Sequence, residues 1–254
     1  MRLLQYKNER FHYKKVICAD VFCGTGQNEI GDEIVDGSPI RLLRGFFGAI
    51  GKNQQQRLIW GEEQPPYDVE FWFSDIRKQA CSFLKAKIKS TFDMNIDAHA
   101  MAAQDSVNEI ANKLHHDPDI FLFLILDPNG PKSFPKNEVQ DALSAYSNRI
   151  DVIPYISATT INRCISARNK AGRQFSGWLG DIENFDEGFV SSLTSNNRAG
   201  WIRKPIPGDK SRWTMIPTFG ILKPGSSWDK QGYVNIDSEE GRKTVKHFCG
   251  GNNE

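Results

Sequence analysis

The residues best suited to chemistry begin in a short apolar run that ends in an acid and two glycines. The run extends from Val16 and places Asp20 at its polar end, followed by Gly24 and Gly26. Glycine adopts backbone conformations that a Cβ would forbid, and it lets a ligand approach the backbone amides closely. The pattern therefore predicts a buried strand that opens into a ligand-binding turn, with the Asp20 carboxylate available to a cationic or hydrogen-bonding ligand group.

Polar residues also follow three later strand candidates. Asp75 ends the second strand, and its carboxylate can accept hydrogen bonds from two ribose hydroxyls because it carries only acceptors. Gln104 and Asp105 follow the third strand, where they can read an adenine amino group. Asp127 ends the fourth strand, at the edge where open α/β sheets bind their ligands. Together with the glycines, these positions predict an adenosine-cofactor site along one rim of a sheet.

Each of these residues also has a purely structural interpretation. Asp20 and Asp75 can cap the turns that follow them, and Asp105 with Ser106 can begin a helix. Asp127 opens the sequence Asp-Pro-Asn-Gly, which is itself a turn signature. The joint occurrence of polar or glycine residues at four strand ends favours a binding site over four independent turns.

Strand and helix candidates alternate along the chain, which predicts a parallel sheet covered by helices on both faces. The strand candidates are Lys15–Phe22, Val69–Ser74, Met94–Ala98, Ile120–Leu126 and Asp151–Ser157. The helix candidates are Ser38–Gly51, Ile76–Lys89, Ser106–His116, Asn137–Asn148, Thr160–Lys170 and, more acidic, Arg173–Thr194. We expect loop insertions at 27–37 and 53–68, and an antiparallel edge hairpin formed by 200–205 and 213–220.

The predicted fold is therefore an α/β fold of the doubly wound type. A chain of 254 residues is long enough to bury a substantial core, and no long polar linker divides it. We expect a single domain spanning 1–254, with a cofactor-binding half at 15–160 and a substrate side at 161–254.

Composition makes several function classes poor candidates. A net charge of +1 gives no global field that would favour nucleic acid or a membrane surface. The five cysteines are scattered without a Cys-x-x-Cys pair, so we predict no metal site and expect reduced thiols. The longest apolar run, 120–126, is far shorter than the roughly 20 residues that span a bilayer, and the N-terminus lacks a signal-peptide stretch. We expect a cytoplasmic protein without membrane contact.

At these motifs the chain resembles the class I S-adenosylmethionine-dependent methyltransferases. Asp-Val-Phe-Cys-Gly-Thr-Gly at 20–26 is similar to that family's first motif. Asp127 and Pro128 stand where nucleic-acid amino-methyltransferases carry Asp-Pro-Pro-aromatic. The chain is most similar to the three-Cys-motif partner group, which combines Asp-x-Phe-x-Gly-x-Gly, a Gly-Ser-Pro helix start (37–39 here) and a fourth strand ending in Asp-Pro-x-Gly.

The resemblance covers about residues 15–160 and implies a Rossmann-like, mostly parallel sheet of seven strands that ends in an antiparallel hairpin. It implies S-adenosylmethionine as the cofactor, held by Asp20, Phe22, Gly24, Gly26, Asp75, Gln104 and Asp105. It also implies methyl transfer to a nitrogen of nucleic acid. In that reaction Asp127, with Asn129 or the Pro128 carbonyl, would bind the attacking amine and orient its lone pair, which is mainly a positioning effect.

Departures from the family pattern leave other functions open. Asn129 and Gly130 replace the second proline and the aromatic residue, which would stack on a flipped base. One alternative is therefore a catalytically inactive, methyltransferase-like binding module that serves a partner protein. A nicotinamide-dependent oxidoreductase is less well supported, because Glu29 stands where the dinucleotide fingerprint has its third glycine.

Basic and aromatic residues alternate near the predicted edge hairpin. Trp201, Arg203, Lys204 and Arg212 are the candidate substrate contacts, because basic groups beside aromatic rings suit a phosphate backbone and stacked bases. The alternative is a solvated edge whose charges prevent strand addition while its tryptophans pack inward. The near-neutral net charge slightly favours this alternative.

Overall fold

A computed structural model of the chain describes residues 13–48, 68–128, 133–157, 198–204, 213–215, 218–220, 232–236 and 238–249. The chain has an α/β fold that divides into two compact units, residues 1–124 and 125–254. Its elements are β1 (Lys15–Asp20), β2 (Gln27–Ile30), β3 (Glu33–Asp36), α1 (38–48), β4 (Asp68–Asp75), α2 (Lys78–Phe92), β5 (Ala98–Ala100), α3 (Ala103–His116), β6 (Ile120–Leu126), α4 (Lys136–Tyr146), β7 (Ile150–Ser157), β8 (Arg198–Arg203), β9 (Trp213–Met215), β10 (Thr218–Gly220), β11 (Tyr233–Asn235) and α5 (Glu239–Cys249).

The described strands of the first unit form a sheet in the order β6-β1-β4-β5. β1 runs parallel to β4, with Asp20 opposite Phe73, and β4 runs parallel to β5, with Asp75 opposite Ala100. β1 is buried along nearly its whole length, as expected for a strand flanked by neighbours and covered on its faces. Because the three strands point the same way, Asp20 and Asp75 reach the same edge of the sheet, as predicted.

Helices α1 and α2 pack against this sheet through one apolar cluster. On α2 the buried residues Cys81, Leu84 and Ile88 recur at helical spacing and form a single apolar face. They join Ile40 and Leu43 of α1, together with Phe73 of β4, in the core. This packing fixes the start of α2 directly after the end of β4.

The predicted loop insertion at 27–37 is wrong over most of its length, because β2 and β3 form an antiparallel hairpin. The register runs from Gln27 opposite Asp36 to Ile30 opposite Glu33. The two-residue turn begins with Gly31 at a φ of +63°, the conformation that tight hairpin turns favour at this position. The hairpin was not predicted because the segment is mostly polar. Even its apolar Ile30 is 64% exposed.

The predicted element boundaries that differ from the structure include the third strand and the start of the helix that follows it. The third strand was placed at Met94–Ala98, but only Ala98–Ala100 pair with β4. The alternating pattern from Met94 mimics a strand, whereas Met94 and Ile96 pack half-buried against the core without a ladder partner. Helix α3 begins at Ala103 rather than Ser106, because the Ser106 hydroxyl is buried in contact with β4 instead of capping a helix.

The second unit is antiparallel in its described pairings. Its strand order is β11-β8-β10-β7, and β9 also pairs with β7. The antiparallel pairing of β8 with β10 confirms the predicted hairpin in part, but 213–220 holds two short strands rather than one. Pro217, which cannot donate a ladder hydrogen bond, separates them in the sequence.

Some predictions about the second half fall on residues that the structure does not describe. The helices predicted at 160–170 and 173–194 lie outside the described residues, and β11 and α5 were not predicted. The count of seven strands is not confirmed, and the single-domain organisation stays a prediction. None of the helices in the described ranges combines the length and apolar character needed to cross a membrane.

Candidate functional site

The turn after β1, residues 20–26 and hereafter the glycine turn, depends on its two glycines for different reasons. Both lie in the left-handed region, with φ of +57° at Gly24 and +76° at Gly26. A Cβ at Gly26 would lie 2.5 Å from the Leu84 Cδ1 atom, inside the core. A Cβ at Gly24 would meet nothing closer than Arg77, at 3.9 Å. Gly26 therefore allows close packing, while Gly24 leaves its backbone open to approach.

Asp20 joins the glycine turn to helix α1. Its side chain is fully buried, and its Oδ1 accepts a hydrogen bond of 3.1 Å from the Phe22 backbone N–H. Its Oδ2 accepts one of 2.6 Å from the Ser38 hydroxyl, at the start of α1. Asp20 thus caps the turn that follows it, as its structural interpretation requires.

Asp75 joins the glycine turn to the end of β4. Its Oδ2 accepts hydrogen bonds from the Gly24 N–H at 3.2 Å and from Arg77 Nη2 at 3.1 Å. Its Oδ1 accepts hydrogen bonds from the Arg77 backbone N–H at 2.8 Å and from Arg77 Nε at 3.0 Å. The carboxylate therefore caps its own turn and also binds the backbone of the predicted cofactor loop.

The ion pair of Asp75 and Arg77 combines a buried acid with an exposed base. The side chain of Asp75 is 9% exposed and that of Arg77 is 60% exposed. Burial alone raises the pKa of Asp75, but the hydrogen bonds and charge of Arg77, with the Gly24 N–H, outweigh it and leave the pKa below its ordinary value. Asp75 is therefore an ionised acceptor at neutral pH.

A buried thiol lies within the glycine turn. The Cys23 N–H donates a 3.0 Å hydrogen bond to the Ser74 carbonyl, which links the turn to β4. Burial, together with the neighbouring Asp20, raises the pKa of the Cys23 thiol. Burial likewise raises the pKa of Cys81 on α2. Because thiols act as nucleophiles only when ionised, both serve here as core side chains.

Five of the predicted cofactor residues come together around the glycine turn: Asp20, Phe22, Gly24, Gly26 and Asp75. Gln104 and Asp105 lie instead in the first turn of α3. Gln104 is half-buried and Asp105 is exposed, and neither side chain makes a hydrogen bond within the part of the chain that the structure describes. Their predicted contact with adenine stays a prediction.

The three predicted catalytic residues follow β6. Asp127 is the first residue after the strand and is exposed, while Pro128 is half-buried. The protein around Asp127 nevertheless removes part of its water, and this burial raises the pKa of its carboxyl. Asn129 lies outside the described residues. The catalytic role of all three stays a prediction.

On the predicted substrate side, Trp201 was a candidate contact that would stack on a base, with inward packing as the slightly favoured alternative. Its side chain is 1% exposed, so it packs inward, as the alternative interpretation required. Lys204 is exposed and forms a 2.6 Å ion pair with Glu240 of α5. Arg203 is the last residue of β8, and Arg212 lies outside the described residues. As placed, Trp201 cannot stack on a base.

Sequence reasoning missed three residues that organise the site. The only signal for Arg77 in the sequence is that a basic residue stands two positions after the acid that ends a strand. Ser38 was predicted only to begin a helix, and the sequence gives no signal that its hydroxyl reaches Asp20. The Ser106 hydroxyl lies 2.7 Å from Trp72 Nε1 and 2.8 Å from the Ser74 hydroxyl, and no local pattern indicates this.

The chemistry available at the glycine turn is binding rather than nucleophilic attack. Its groups are two buried carboxylates, an open backbone at Gly24 and an exposed guanidinium. In the ranges that the structure describes, no three His, Cys, Asp or Glu side chains group as metal ligands. The arrangement suits a small polar ligand held by hydrogen bonds.

Comparisons with known proteins establish a fold likeness and no family. No family model and no curated protein matches the chain. The protein LPL1258 of Legionella pneumophila has a similar structure at 12% identity, with a TM-score of 0.51 over 98% of this chain and 90% of that chain.

Two further solved structures match at lower scores. One is an rRNA methylase of Streptococcus thermophilus, at 8% identity over 87% of this chain and 98% of that chain, with a TM-score of 0.40. The other is a SAM-dependent methyltransferase of Anabaena variabilis, at 12% identity over 86% and 84%, with a TM-score of 0.38. Scores below 0.5 do not establish a shared fold.

Proposed function

We propose that this chain is an S-adenosylmethionine-dependent methyltransferase that acts on a nitrogen atom. The glycine turn supports this proposal best. It lies at the carboxyl edge of parallel strands, where open α/β sheets bind cofactors, and two buried carboxylates bind its backbone. The resemblance of residues 20–26 to the first methyltransferase motif points to the same cofactor.

The residues of the glycine turn fit an adenosine-type cofactor. The open space at Gly24 lets a ligand approach the backbone. The two carboxylates are buried, and burial strengthens the hydrogen bonds that each of them makes around the glycine turn. S-adenosylmethionine, when bound, supplies a methyl group on an electron-poor sulfonium. The residues that would hold it are Asp20, Phe22, Gly24, Gly26 and Asp75, with Gln104 and Asp105 proposed for the adenine.

In this proposal Asp127, with Pro128 and Asn129, binds the amine that accepts the methyl group. A carboxylate accepts hydrogen bonds from an amine and so holds its lone pair in a fixed direction. Holding the reacting groups in line is the main catalytic effect that such residues supply. The acceptor that we propose is nucleic acid, on the sequence pattern of Arg203, Lys204 and Arg212.

Calorimetric titration with S-adenosylhomocysteine tests the cofactor site. We expect the unmodified chain to bind, and Asp75→Asn and Asp20→Asn each to weaken binding about tenfold or more, since hydrogen bonds to charged groups are the strong ones. Asp36→Asn is the matched control, because Asp36 pairs with Arg44 outside the glycine turn. Absence of binding by the unmodified chain would contradict the cofactor site.

Methyl transfer is tested separately with tritium-labelled S-adenosylmethionine and mixed RNA, DNA and protein. We expect label on nucleic acid, and its loss in Asp127→Asn with cofactor binding unchanged. Label on none of these acceptors would contradict the enzymatic part of the proposal.

Two observations favour a second candidate, a binding module that serves a partner protein. The burial of Trp201 and the ion pair of Lys204 with Glu240 occupy two of the four proposed substrate contacts. This candidate requires cofactor binding without label transfer, together with co-purification of another chain from the source cells. Label transfer to nucleic acid by the chain alone excludes it.

A further inference from the structure

The Asp75 carboxylate has no spare acceptor position. A carboxylate offers about four lone-pair sites. In this structure each Asp75 oxygen accepts two N–H groups, three of them from Arg77 and one from Gly24. Two ribose hydroxyls therefore cannot bind Asp75 unless a present donor leaves.

The guanidinium of Arg77 is the donor most free to leave. The Gly24 N–H belongs to a turn that the packing of Gly26 and the Cys23–Ser74 hydrogen bond hold in place. The Arg77 backbone N–H is fixed by the start of α2. The Arg77 side chain, by contrast, is 60% exposed, and Asp75 is its hydrogen-bond partner within the described residues. Because the guanidinium lies at the exposed end of the pair, water can replace its hydrogen bonds when it leaves Asp75.

We propose that Arg77 competes with the ribose hydroxyls of an adenosine ligand for Asp75. Binding then exchanges the guanidinium hydrogen bonds for hydroxyl hydrogen bonds, and the exposed guanidinium moves into water. The inference rests on the proposed cofactor site. It makes Arg77 a residue that lowers the affinity for ligands with ribose hydroxyls, because only those ligands must displace the guanidinium from Asp75.

The test compares Arg77→Met with the unmodified chain by calorimetric titration. The probes are S-adenosylhomocysteine, adenosine and 2′,3′-dideoxyadenosine. We expect Arg77→Met to bind the first two about fivefold tighter, because the competing donor is gone; this corresponds to about 1 kcal/mol. Its affinity for the dideoxy probe should not change.

Lys78→Met is the matched control. Lys78 is the next residue, is also exposed, and its side chain makes no hydrogen bond or ion pair within the described ranges. Its loss removes the same charge from the start of α2 and should leave all three affinities unchanged. Arg77→Lys keeps the charge without the two-pronged geometry and should bind S-adenosylhomocysteine with intermediate affinity. Circular dichroism establishes that each variant is folded.

Any of five outcomes would overturn the inference. Weaker binding by Arg77→Met would make Arg77 a ligand contact, and unchanged binding would show no competition. An equal gain for the dideoxy probe, or for Lys78→Met, would assign the effect to charge alone. If neither the unmodified chain nor any variant binds S-adenosylhomocysteine or adenosine, the proposed cofactor site fails and the inference fails with it.

Discussion

Gly26 lacks a side chain for two separate physical reasons. Its φ of +76° is strained for any residue with a Cβ, and the space that the Cβ would take is filled by Leu84 and Ile40. Leu84 is fully buried, so it cannot yield without disturbing the core. A methyl group at this position therefore acts on both backbone and packing.

We expect Gly26→Ala to lower the free energy of unfolding by about 3 kcal/mol, combining left-handed strain with overpacking. Gly31→Ala is the control, since Gly31 has a similar φ of +63° and nothing within 4 Å of the Cβ position. It should cost about 1 kcal/mol, from strain alone. Urea denaturation measures both, and equal losses would contradict the packing argument.

At the same scale, the sequence indicates some site residues and hides others. Asp20, Gly24 and Gly26 were predictable because a strand-ending acid and glycines are local signals. The contacts of Asp75 with Gly24 and of Asp20 with Ser38 depend on how distant segments pack. Arg77 was missed because its role depends on the reach of one long side chain.

Among the elements, Glu70 connects strand β1, strand β4 and helix α3. Its carboxylate forms ion pairs with Lys15 Nζ at 2.6 Å and with Lys113 Nζ at 2.7 Å. Lys113 Nζ also lies 5.0 Å from the centre of the Trp72 ring. Burial raises the pKa of Glu70, but the two lysines outweigh it, so the pKa is lower in the folded chain than its ordinary value of 4.5.

A group whose pKa is lowered by folding stabilises the folded state above its unfolded pKa, and this contribution is lost as the pH falls through the folded pKa. We therefore expect Glu70→Gln to lower the free energy of unfolding by about 1 kcal/mol at neutral pH and by almost nothing near pH 2. Urea denaturation across this range measures the difference from the unmodified chain.

Asp97→Asn is the control, because it breaks an exposed pair with Lys85 in which the Asp97 side chain is 81% exposed. It should cost a few tenths of a kcal/mol or less. A constant cost of Glu70→Gln at every pH would contradict the ionic explanation.

Element boundaries were the least predictable level of the fold. Ile120–Leu126 was placed correctly because every residue in it is apolar. The hairpin of β2 and β3 was missed because its residues are mostly polar and exposed. Strand β5 has three residues, and β9, β10 and β11 have three each, which is too short for an alternating pattern to show.

For the whole molecule, alternation of strands and helices was enough to predict an α/β fold with parallel strands in the first half. The second unit could not be derived as well, because antiparallel strand order depends on contacts between segments far apart in the chain. The function class of the protein is equally hard to derive from the sequence, since fold alone does not determine chemistry. The site of the first unit rests on local motifs and is better defined.

The reactivity of the Cys23 thiol reports how readily the glycine turn opens. Cys23 is 3% exposed and Cys18, inside β1, is fully buried, with the pKa of Cys18 raised to about 12. Neither can be alkylated until its surroundings open, and loops open more readily than central strands. Iodoacetamide labelling followed by peptide mass spectrometry should modify Cys23 before Cys18, and simultaneous modification would mean that the turn opens only when the whole unit unfolds.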